Sequence, residues 1–256
     1  MTRSPSRVRA DALLVGRGLA ETRAQAQGLI MAGKVSTTSA RVDKPGSLLS
    51  PETPLFVASP PRFVSRGGDK LESALLRFAD LGLDVRGRVC LDVGASTGGF
   101  TDCLLQRGAS RVVAVDVGYG QLAEKLRQDG RVENRERVNA RDLTRADLPA
   151  GLNLVVVDAS FIGIGKLISA IASVLDPGGE LVALVKPQFE AGKEAASRGR
   201  GVIRDEATRD QAIAAARRDI ESAGFEVLSE VDSAVVGPKG NVERFVWARL
   251  VRAASS

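Results

Sequence analysis

The run Val89-Cys-Leu-Asp-Val93 and the turn Gly94-Ala-Ser96-Thr-Gly98-Gly99-Phe100 form the stretch of sequence that decides the fold. A short apolar run that leads directly into glycines is typical of a buried strand followed by a tight turn into a helix. Glycine lets the backbone approach a ligand closely, and the first turn of the following helix offers free N–H groups. We therefore expect a ligand-binding turn at residues 94–100.

Short, mostly apolar runs alternate with segments of helical character after residue 88. The predicted strands are Val89–Val93, Val112–Val115, Arg137–Asn139, Leu154–Val157 and Leu181–Val185, and the predicted helices span residues 100–107, 121–128 and 164–175. A further helix near 205–223 precedes two strands, Glu226–Val235 and Glu243–Leu250, which predict a terminal β-hairpin. This order predicts an α/β fold with a Rossmann-like, doubly wound and mostly parallel sheet.

The composition of the glycine-rich turn narrows the class of ligand. A phosphate-loop NTPase would need a Gly-Lys-Ser/Thr sequence, and a dinucleotide site would favour the spacing GxGxxG. The turn has no lysine, and its glycines are Gly94, Gly98 and Gly99. S-adenosylmethionine sites commonly carry this looser acidic-apolar-glycine form. Because Asp116 ends the second strand, where an acid would hold ribose hydroxyls, we expect S-adenosyl-L-methionine as the cofactor.

The composition excludes several kinds of catalysis. None of the 256 residues is histidine, which excludes imidazole bases, the Ser-His-Asp triad and nearly all catalytic zinc sites. Residues 94–98 match the GxSxG nucleophile elbow of hydrolases, but that interpretation fails for the same reason. Cys90 and Cys103 lack metal-ligand spacing and are predicted to be reduced core residues. We expect no metal site.

The distribution of charge argues against membrane insertion. No stretch longer than ten residues is free of charged side chains, whereas a membrane-spanning helix needs about 20 apolar residues. The basic start, Met1 to Arg9, is followed by Asp11 before any secretory apolar region can form. We therefore expect a cytoplasmic protein without stable membrane association.

Positive charge is concentrated at the beginning of the sequence. Residues 1–70 contain 11 Lys+Arg and 5 Asp+Glu, whereas residues 71–256 contain 25 and 26. This asymmetry is typical of an appendage that binds a polyanion, although a solvated basic surface accounts for it equally well. Consecutive prolines at 60 and 61 interrupt the pattern of elements. We predict a first domain at 1–58, a linker at 59–66 and a second domain at 67–256.

The first domain is predicted to be a small α+β module. We expect a helix within 7–20 that ends at Gly16 or Gly18, and a second helix over Arg23–Ala32 with Thr22 as its N-cap. Short strands are expected at Lys34–Thr37 and Leu55–Ala58. The spaced residues Arg9, Asp11, Gly18, Arg23 and Gly33-Lys34 resemble the S4-like RNA-binding domain, although Thr38-Ser39 stands where that family usually has Asn-Gly. The resemblance implies that Arg9, Arg23 and Lys34 contact RNA phosphates, and Arg66 is a further candidate.

Four charged residues stand where predicted elements of the second domain begin or end. Asp158 and Lys186 directly follow buried strands, Glu243 opens the last strand, and Lys70 opens the first helix. The carboxyl ends of parallel strands lie on the ligand side of such sheets. Each charge alone would most often be a surface residue, but a lysine between a buried strand and a proline is unusual.

These four residues match the Lys-Asp-Lys-Glu tetrad of the FtsJ-like ribose 2′-O-methyltransferases. With an S4-like domain in front, the chain resembles the TlyA family, described both as hemolysin A and as ribosomal RNA cytidine-2′-O-methyltransferase. The resemblance implies a class I methyltransferase domain in which the tetrad transfers a methyl group to a ribose 2′-hydroxyl of ribosomal RNA, in a ribosomal subunit. It also implies cofactor contacts from Gly94, Ser96, Gly98, Gly99, Phe100, Asp116, Asp142 and Asp158.

Lys186 is the residue expected to contact the hydroxyl, either as a base or as an electrostatic clamp. Base methylation is matched less well, because Ala159-Ser160 lacks the prolines of amino-methylating enzymes and neither cysteine is placed for attack on a cytosine ring. The basic segment 189–204 is expected to be a loop that covers the substrate entrance, although a disordered surface loop with no partner accounts for it equally well. Two rivals stay open: a non-catalytic RNA-binding assembly factor and a hemolysin-like membrane-active protein.

Overall fold

The computed structural model describes residues 7–58, 61–191, 202–237 and 239–251. The chain divides into two compact units, Met1–Pro61 and Arg62–Ser256. This division falls inside the predicted linker 59–66, and the domain limits 1–58 and 67–256 remain predictions. Of that linker, Phe63 is buried in the core of the larger unit.

In its described residues, 7–58 and 61, the smaller unit has two helices and two pairs of short antiparallel strands. Its elements are β1 (Val8–Arg9), α1 (Ala10–Gly16), α2 (Arg23–Met31), β2 (Val35–Ser36), β3 (Leu48–Leu49) and β4 (Phe56–Val57). Strand β1 pairs with β3, and β2 pairs with β4. Apolar residues of both helices, among them Leu14 and Ile30, form one small core with Val35 and Val42.

Two predictions for this unit have different outcomes. The second helix begins after Thr22, whose hydroxyl accepts a hydrogen bond from the Gln25 N–H at 3.2 Å, so the predicted N-cap is confirmed. The first helix ends at Gly16, one of its two predicted ends, but its predicted start at residue 7 is too early. Residues Val8–Arg9 are extended because they pair with Leu48–Leu49, and the helix spans only Ala10–Gly16.

The larger unit contains a seven-stranded sheet with helices on both faces. Its elements are α3 (Arg66–Ala79), β5 (Val89–Val93), α4 (Gly99–Gln106), β6 (Arg111–Asp116), α5 (Glu124–Arg127), β7 (Val132–Glu136), β8 (Leu152–Val157), α6 (Ile168–Val174), β9 (Glu180–Val185), α7 (Pro187–Glu190), α8 (Glu206–Ser222), β10 (Phe225–Asp232) and β11 (Arg244–Leu250). Short 3₁₀ turns lie at Ala140–Asp142, Arg145–Asp147 and Ile164–Lys166.

The strand order β10-β11-β9-β8-β5-β6-β7 confirms the predicted doubly wound architecture. Strands β5 to β9 run parallel, and β11 lies antiparallel to both β9 and β10, as the predicted terminal hairpin requires. The chain winds outward from β5 through β6 to β7 and then returns to place β8 on the other side of β5. Ligands bind at this kind of switch point, outside the carboxyl ends of the strands.

Strand β8 shows how the sheet is buried. Leu154 and Val156 pack in the core shared with α3 and α4, whereas Val155 and Val157 pack in the core shared with α6 and α8. Successive side chains of a strand point to opposite faces, so a strand covered on both faces is apolar throughout. The central strands are held rigidly in this way, and rigid strands fix the residues that follow them.

The predicted strand at Arg137–Asn139 is wrong. The third strand of the sheet is Val132–Glu136, and Arg137 has a φ of +59°, a left-handed conformation that ends the strand. Strand β7 lies at the edge of the sheet and carries charged residues that are all half-buried. Its sequence therefore lacks the apolar run by which buried strands are recognised.

Most of the predicted basic loop at 189–204 lies outside the described residues. In the part of the chain that the structure describes, no helix is long and apolar enough to cross a membrane.

Candidate active site

Sheet register brings two of the predicted tetrad residues to the same edge. Val185 of β9 lies opposite Arg244 of β11, so Lys186 and Glu243, one residue beyond this pair, are neighbours. Lys70 reaches the same place from α3, and its Nζ lies 2.5 Å from Oε2 of Glu243. Lys70 is 8% exposed and Glu243 only 1%. The pair is a closed contact between two buried opposite charges.

Lys186 forms the second ion pair of the site. Its Nζ lies 2.6 Å from Oδ1 of Asp158, which follows β8, and donates a hydrogen bond of 2.9 Å to the Ser160 hydroxyl. Asp158 is half-buried and Ser160 is exposed. Lys186 is itself 8% exposed, the same as Lys70, but its partners are less buried than Glu243.

Two adjoining cavities meet at these residues. One has a volume of about 470 Å³ and lies between the ends of β5, β6 and β8; the other, of about 360 Å³, is bounded by the start of α3 and contains Lys70 in its wall. Gly94, Ser96, Asp158 and Ser160 line both cavities. Two tetrad residues therefore line this cleft, Lys70 in the smaller cavity and Asp158 in both, whereas Glu243 and Lys186 lie behind them as their ion-pair partners and line neither cavity.

The larger cavity has the features expected of a nucleotide-type site. Asp116 lines it, and the carboxylate accepts hydrogen bonds from the N–H groups of Ser96 at 2.8 Å and Gly118 at 2.7 Å. Each carboxylate oxygen keeps a second lone pair. Gly94 has a φ of +85°, and a Cβ there would lie 2.9 Å from the Asp158 carbonyl oxygen. Residue 94 must therefore be glycine for β5 and β8 to meet at the cavity wall.

Other predicted cofactor residues lie elsewhere. A Cβ on Gly98 would lie 2.3 Å from a methyl carbon of Leu126, so this glycine serves packing. Gly99 and Phe100 line the smaller cavity, beside Lys70. Asp142 lies in an exposed 3₁₀ turn and lines neither of the two cavities.

The loop after β8 is held in place by α7. The Glu190 carboxylate accepts the Ile164 N–H at 2.8 Å, and burial raises the pKa of this carboxyl group, with a smaller contribution from Asp219. Phe189 packs against Phe161, with ring centroids 5.3 Å apart. These contacts fix the loop that carries Ser160.

The sequence did not identify three of the residues that complete the site. Ser160 contacts Lys186, and Gln121 accepts a hydrogen bond of 3.0 Å from the Ser96 hydroxyl. Asn139 lines the larger cavity in place of the predicted Asp142. The available signal was the position of each residue just beyond a strand or in the following turn. This position predicts which segment forms the site, but not which side chain in the segment makes the contact.

The four predicted RNA contacts fall in different surroundings. Arg9 and Arg23 both pair with the carboxylate of Asp11, and their side chains remain 45% and 57% exposed. Lys34 is half-buried at the end of α2. Arg66 belongs to the larger unit, where it is exposed at the first position of α3 and lines the smaller cavity.

The chain belongs to the FtsJ-like methyltransferase family, whose sequence profile matches residues 63–250. It is therefore an enzyme, and the predictions of a methyltransferase and of S-adenosyl-L-methionine as its cofactor are confirmed at the level of the family.

Relatives that cover nearly the whole chain define the group more closely. The 16S/23S rRNA (cytidine-2′-O)-methyltransferase TlyA of Mycobacterium tuberculosis is 46% identical over 95% of this chain and 90% of its own length. Hemolysin A of Brachyspira hyodysenteriae is 39% identical over 92% of this chain and 97% of its own. A solved structure described as a hemolysin candidate from Streptococcus thermophilus aligns with a TM-score of 0.72 at 40% identity, covering 98% of this chain and 90% of that one. The predicted relationship to TlyA and hemolysin A is thus confirmed.

Proposed function

We propose that this chain transfers the methyl group of S-adenosyl-L-methionine to the ribose 2′-hydroxyl of a cytidine in ribosomal RNA. The observation that carries the proposal is the pair of lysine–carboxylate contacts around a cavity that adjoins the predicted cofactor cavity. The name of the Mycobacterium tuberculosis relative, an rRNA (cytidine-2′-O)-methyltransferase, supports the same substrate. This substrate implies that the protein acts in the cytoplasm.

The residues of the larger cavity would hold the cofactor. Asp116 has free lone pairs for ribose hydroxyls, and the backbone at Gly94 and Ser96 forms the wall beside it. A volume of about 470 Å³ lies within the range of roughly 300–1,000 Å³ typical of small-molecule sites. When bound, S-adenosylmethionine supplies an electrophilic methyl group on a sulfonium centre. Asp158, which lines both cavities, would lie beside the place where the donor methyl group and the acceptor hydroxyl meet.

The smaller cavity would hold the acceptor ribose. A hydroxyl is a weak nucleophile, so its proton must leave as the new O–C bond forms and the S–C bond of the donor breaks, and negative charge that develops on the oxygen as the proton is withdrawn must be stabilised. S-adenosylhomocysteine would be the leaving group. Lys186 is the group we assign to the hydroxyl, because its ammonium group is bound by two residues of the shared wall. Lys70 lines the same cavity and adds a second positive charge. Asp158 and Glu243 balance both charges, which keeps the site neutral before substrate binds.

The smaller unit would anchor the RNA as an S4-like domain. Arg9, Arg23 and Lys34 would contact phosphates there, and Arg66 would contact RNA at the rim of the acceptor cavity. Phosphate contacts provide affinity and orientation without reading sequence. Orientation is itself catalytic, because alignment of two reactants can lower a barrier by roughly 7–11 kcal/mol.

The test is methyl transfer to separated small and large ribosomal subunits from S-adenosylmethionine with a radiolabelled methyl group. We expect labelled RNA, and nuclease digestion should yield 2′-O-methylcytidine. Lys186→Ala should remove the label, whereas Lys125→Ala, which breaks an ion pair with Asp102 on α4, should not. Label on a base instead of a ribose would contradict the proposal.

The two rival functions predict different results in the same preparation. A non-catalytic assembly factor would bind subunits but leave them unlabelled. A hemolysin-like protein, the activity named for the Brachyspira hyodysenteriae relative, would release dye from lipid vesicles. We expect labelling and no dye release.

A further inference from the structure

The smaller unit contains a fully buried carboxylate, that of Asp11, at the beginning of α1. Its side chain is 0% exposed and accepts five hydrogen bonds. Two come from Arg9, at 3.0 and 2.8 Å; the others come from the Arg23 Nε at 3.1 Å, the Gln27 side chain at 3.0 Å and the Ala12 N–H at 2.8 Å. These bonds, with that from Arg9 the strongest, hold the pKa of Asp11 well below its usual range. One acid thus organises two cations.

The two guanidinium groups are fixed on one side and open on the other. An arginine has five N–H donors. The bonds to Asp11 use two donors of Arg9 and one of Arg23, and about half of each side chain is exposed. Among the described residues, these are the side-chain hydrogen bonds that the two guanidinium groups make, and the remaining donors on their exposed portions could bind an anion.

A neighbouring turn limits the movement of Arg9 further. Ala10 and Asp11 donate backbone hydrogen bonds to the carbonyl oxygens of Ser47 and Pro45, at 2.8 and 3.1 Å. A Cβ on Gly46 would lie 3.1 Å from an Arg9 guanidinium nitrogen. The guanidinium group is therefore packed between the carboxylate of Asp11 and the backbone of this turn.

The charge balance of this cluster differs from that of an ordinary surface ion pair. Arg41 and Asp43, in the same unit and also two residues apart, form a one-to-one pair in which both side chains are about two-thirds exposed. At Asp11 two arginines share one acid, which leaves one net positive charge. We infer that Asp11 is a positioning residue that fixes Arg9 and Arg23 as a paired clamp for RNA phosphates. This inference rests on the proposed RNA binding by the smaller unit.

The replacement Asp11→Asn distinguishes a positioning role from a pure charge effect, because the two predict opposite changes in the affinity for RNA. It removes a negative charge, so if charge alone governs affinity the variant must bind RNA more tightly and with a steeper dependence on salt. If Asp11 positions the arginines, their side chains are disordered in the variant and must be ordered when RNA binds. This ordering costs conformational entropy, so affinity for RNA falls although the net positive charge rises. Asp43→Asn removes the same charge from the same unit without releasing a clamp.

The experiment measures binding of the full chain to ribosomal subunits over a series of salt concentrations, together with methylation kinetics. For Asp11→Asn we expect binding about three- to tenfold weaker, a higher KM for subunits and an unchanged kcat. Asp43→Asn should bind as tightly as the unchanged protein or more tightly. Binding by Asp11→Asn that equals or exceeds that of Asp43→Asn would overturn the inference.

Two further measurements keep the result interpretable. Arg9→Ala and Arg23→Ala test the RNA-binding role of the smaller unit. If neither variant binds RNA more weakly, the proposed anchor is wrong. If both bind more weakly but Asp11→Asn binds more tightly, the anchor stands and only the positioning role of Asp11 is overturned. If Asp11→Asn does not fold, the Nε–H signals of Arg9 and Arg23 in the unchanged protein provide the test. We expect slow solvent exchange before and after RNA is added; rapid exchange of both would contradict the inference.

Discussion

The two lysine–carboxylate pairs of the site are alike in chemistry and different in setting. Lys70 and Glu243 are both buried and lie 2.5 Å apart, and Lys70 lines the smaller cavity. Lys186 is held by Asp158 and Ser160, which line both cavities. Both lysines are 8% exposed, so the pairs differ in their partners: Glu243 is 1% exposed, whereas Asp158 and Ser160 line the cleft. We therefore assign a fixed charge to the first pair and contact with the reacting hydroxyl to the second. The difference predicts that changes at Lys186 lower chiefly kcat, whereas changes in the Lys70–Glu243 pair lower both stability and activity.

The largest effect is expected at Lys186. Replacement by alanine removes the group that we assign to the acceptor oxygen, and loss of one such stabilising donor typically costs about 100- to 1,000-fold in kcat. Binding of S-adenosylmethionine should persist, because Asp116 and the glycine-rich turn are untouched. Single-turnover methylation and calorimetric titration of the cofactor measure the two effects separately. If cofactor binding and catalysis are lost together, Lys186 serves the cofactor cavity instead.

The closed pair should show its effect in stability as well as activity. Glu243→Gln leaves Lys70 buried without a counter-charge, and breaking a buried pair typically costs about 3–5 kcal/mol in the free energy of unfolding. The double variant Lys70→Met/Glu243→Gln removes both charges and should regain most of this stability while remaining inactive. Urea unfolding and methylation assays make the comparison. Recovery of activity in the double variant would show that the second positive charge is dispensable.

A third acid, Asp92 in β5, shows what burial does without a cation. It is fully buried, and no lysine or arginine in the described part of the chain forms an ion pair with it. Burial raises the pKa of Asp92 to about 7. The hydrogen bond from the Thr101 hydroxyl opposes this shift, and the nearby charge of Asp158 adds to it. The folded state therefore binds more protons than the unfolded state between about pH 4 and pH 7.

This difference makes stability fall as the pH rises through that window. From Asp92 we expect a loss on the order of 2–3 kcal/mol between pH 5 and pH 8, and a clearly shallower profile for Asp92→Asn, whose amide oxygen can still accept the Thr101 bond. Urea unfolding at several pH values provides the measurement. Asp129→Asn is the control, because Arg131 lowers the pKa of Asp129 to about 2 and places its titration below this window. An unchanged slope in Asp92→Asn would assign the pH dependence to other groups.

These contrasts also mark what the sequence could predict. The glycine-rich turn and the residues that follow β8 and β9 were identifiable because apolar runs end abruptly there and parallel strands end at one edge. Strand β7 was misplaced because an edge strand made of Val132, Glu133, Asn134, Arg135 and Glu136 has no apolar run. The sequence did not indicate the proposed role of Asp11, because an aspartate gives no sign in the sequence of whether its side chain is buried or exposed. Pairwise contacts such as Lys186 with Ser160 depend on loop conformation, which the local sequence does not specify.

The smallest effect is expected at Ser160, and it tests the ion pair of Lys186 and Asp158 directly. Ser160→Ala removes one neutral hydrogen bond from Lys186, whereas the contact with Asp158 remains. A bond of this kind contributes about 1 kcal/mol, so kcat should fall about three- to tenfold with little change in the KM for RNA. Ser73→Ala, which removes a hydroxyl bonded to the Lys70 carbonyl oxygen on α3, is the matched control and should leave kcat unchanged. In a Lys186→Ala background, Ser160→Ala should have no further effect, because the two residues act through one contact. An additional loss in that background would mean that the Ser160 hydroxyl contacts substrate or cofactor itself.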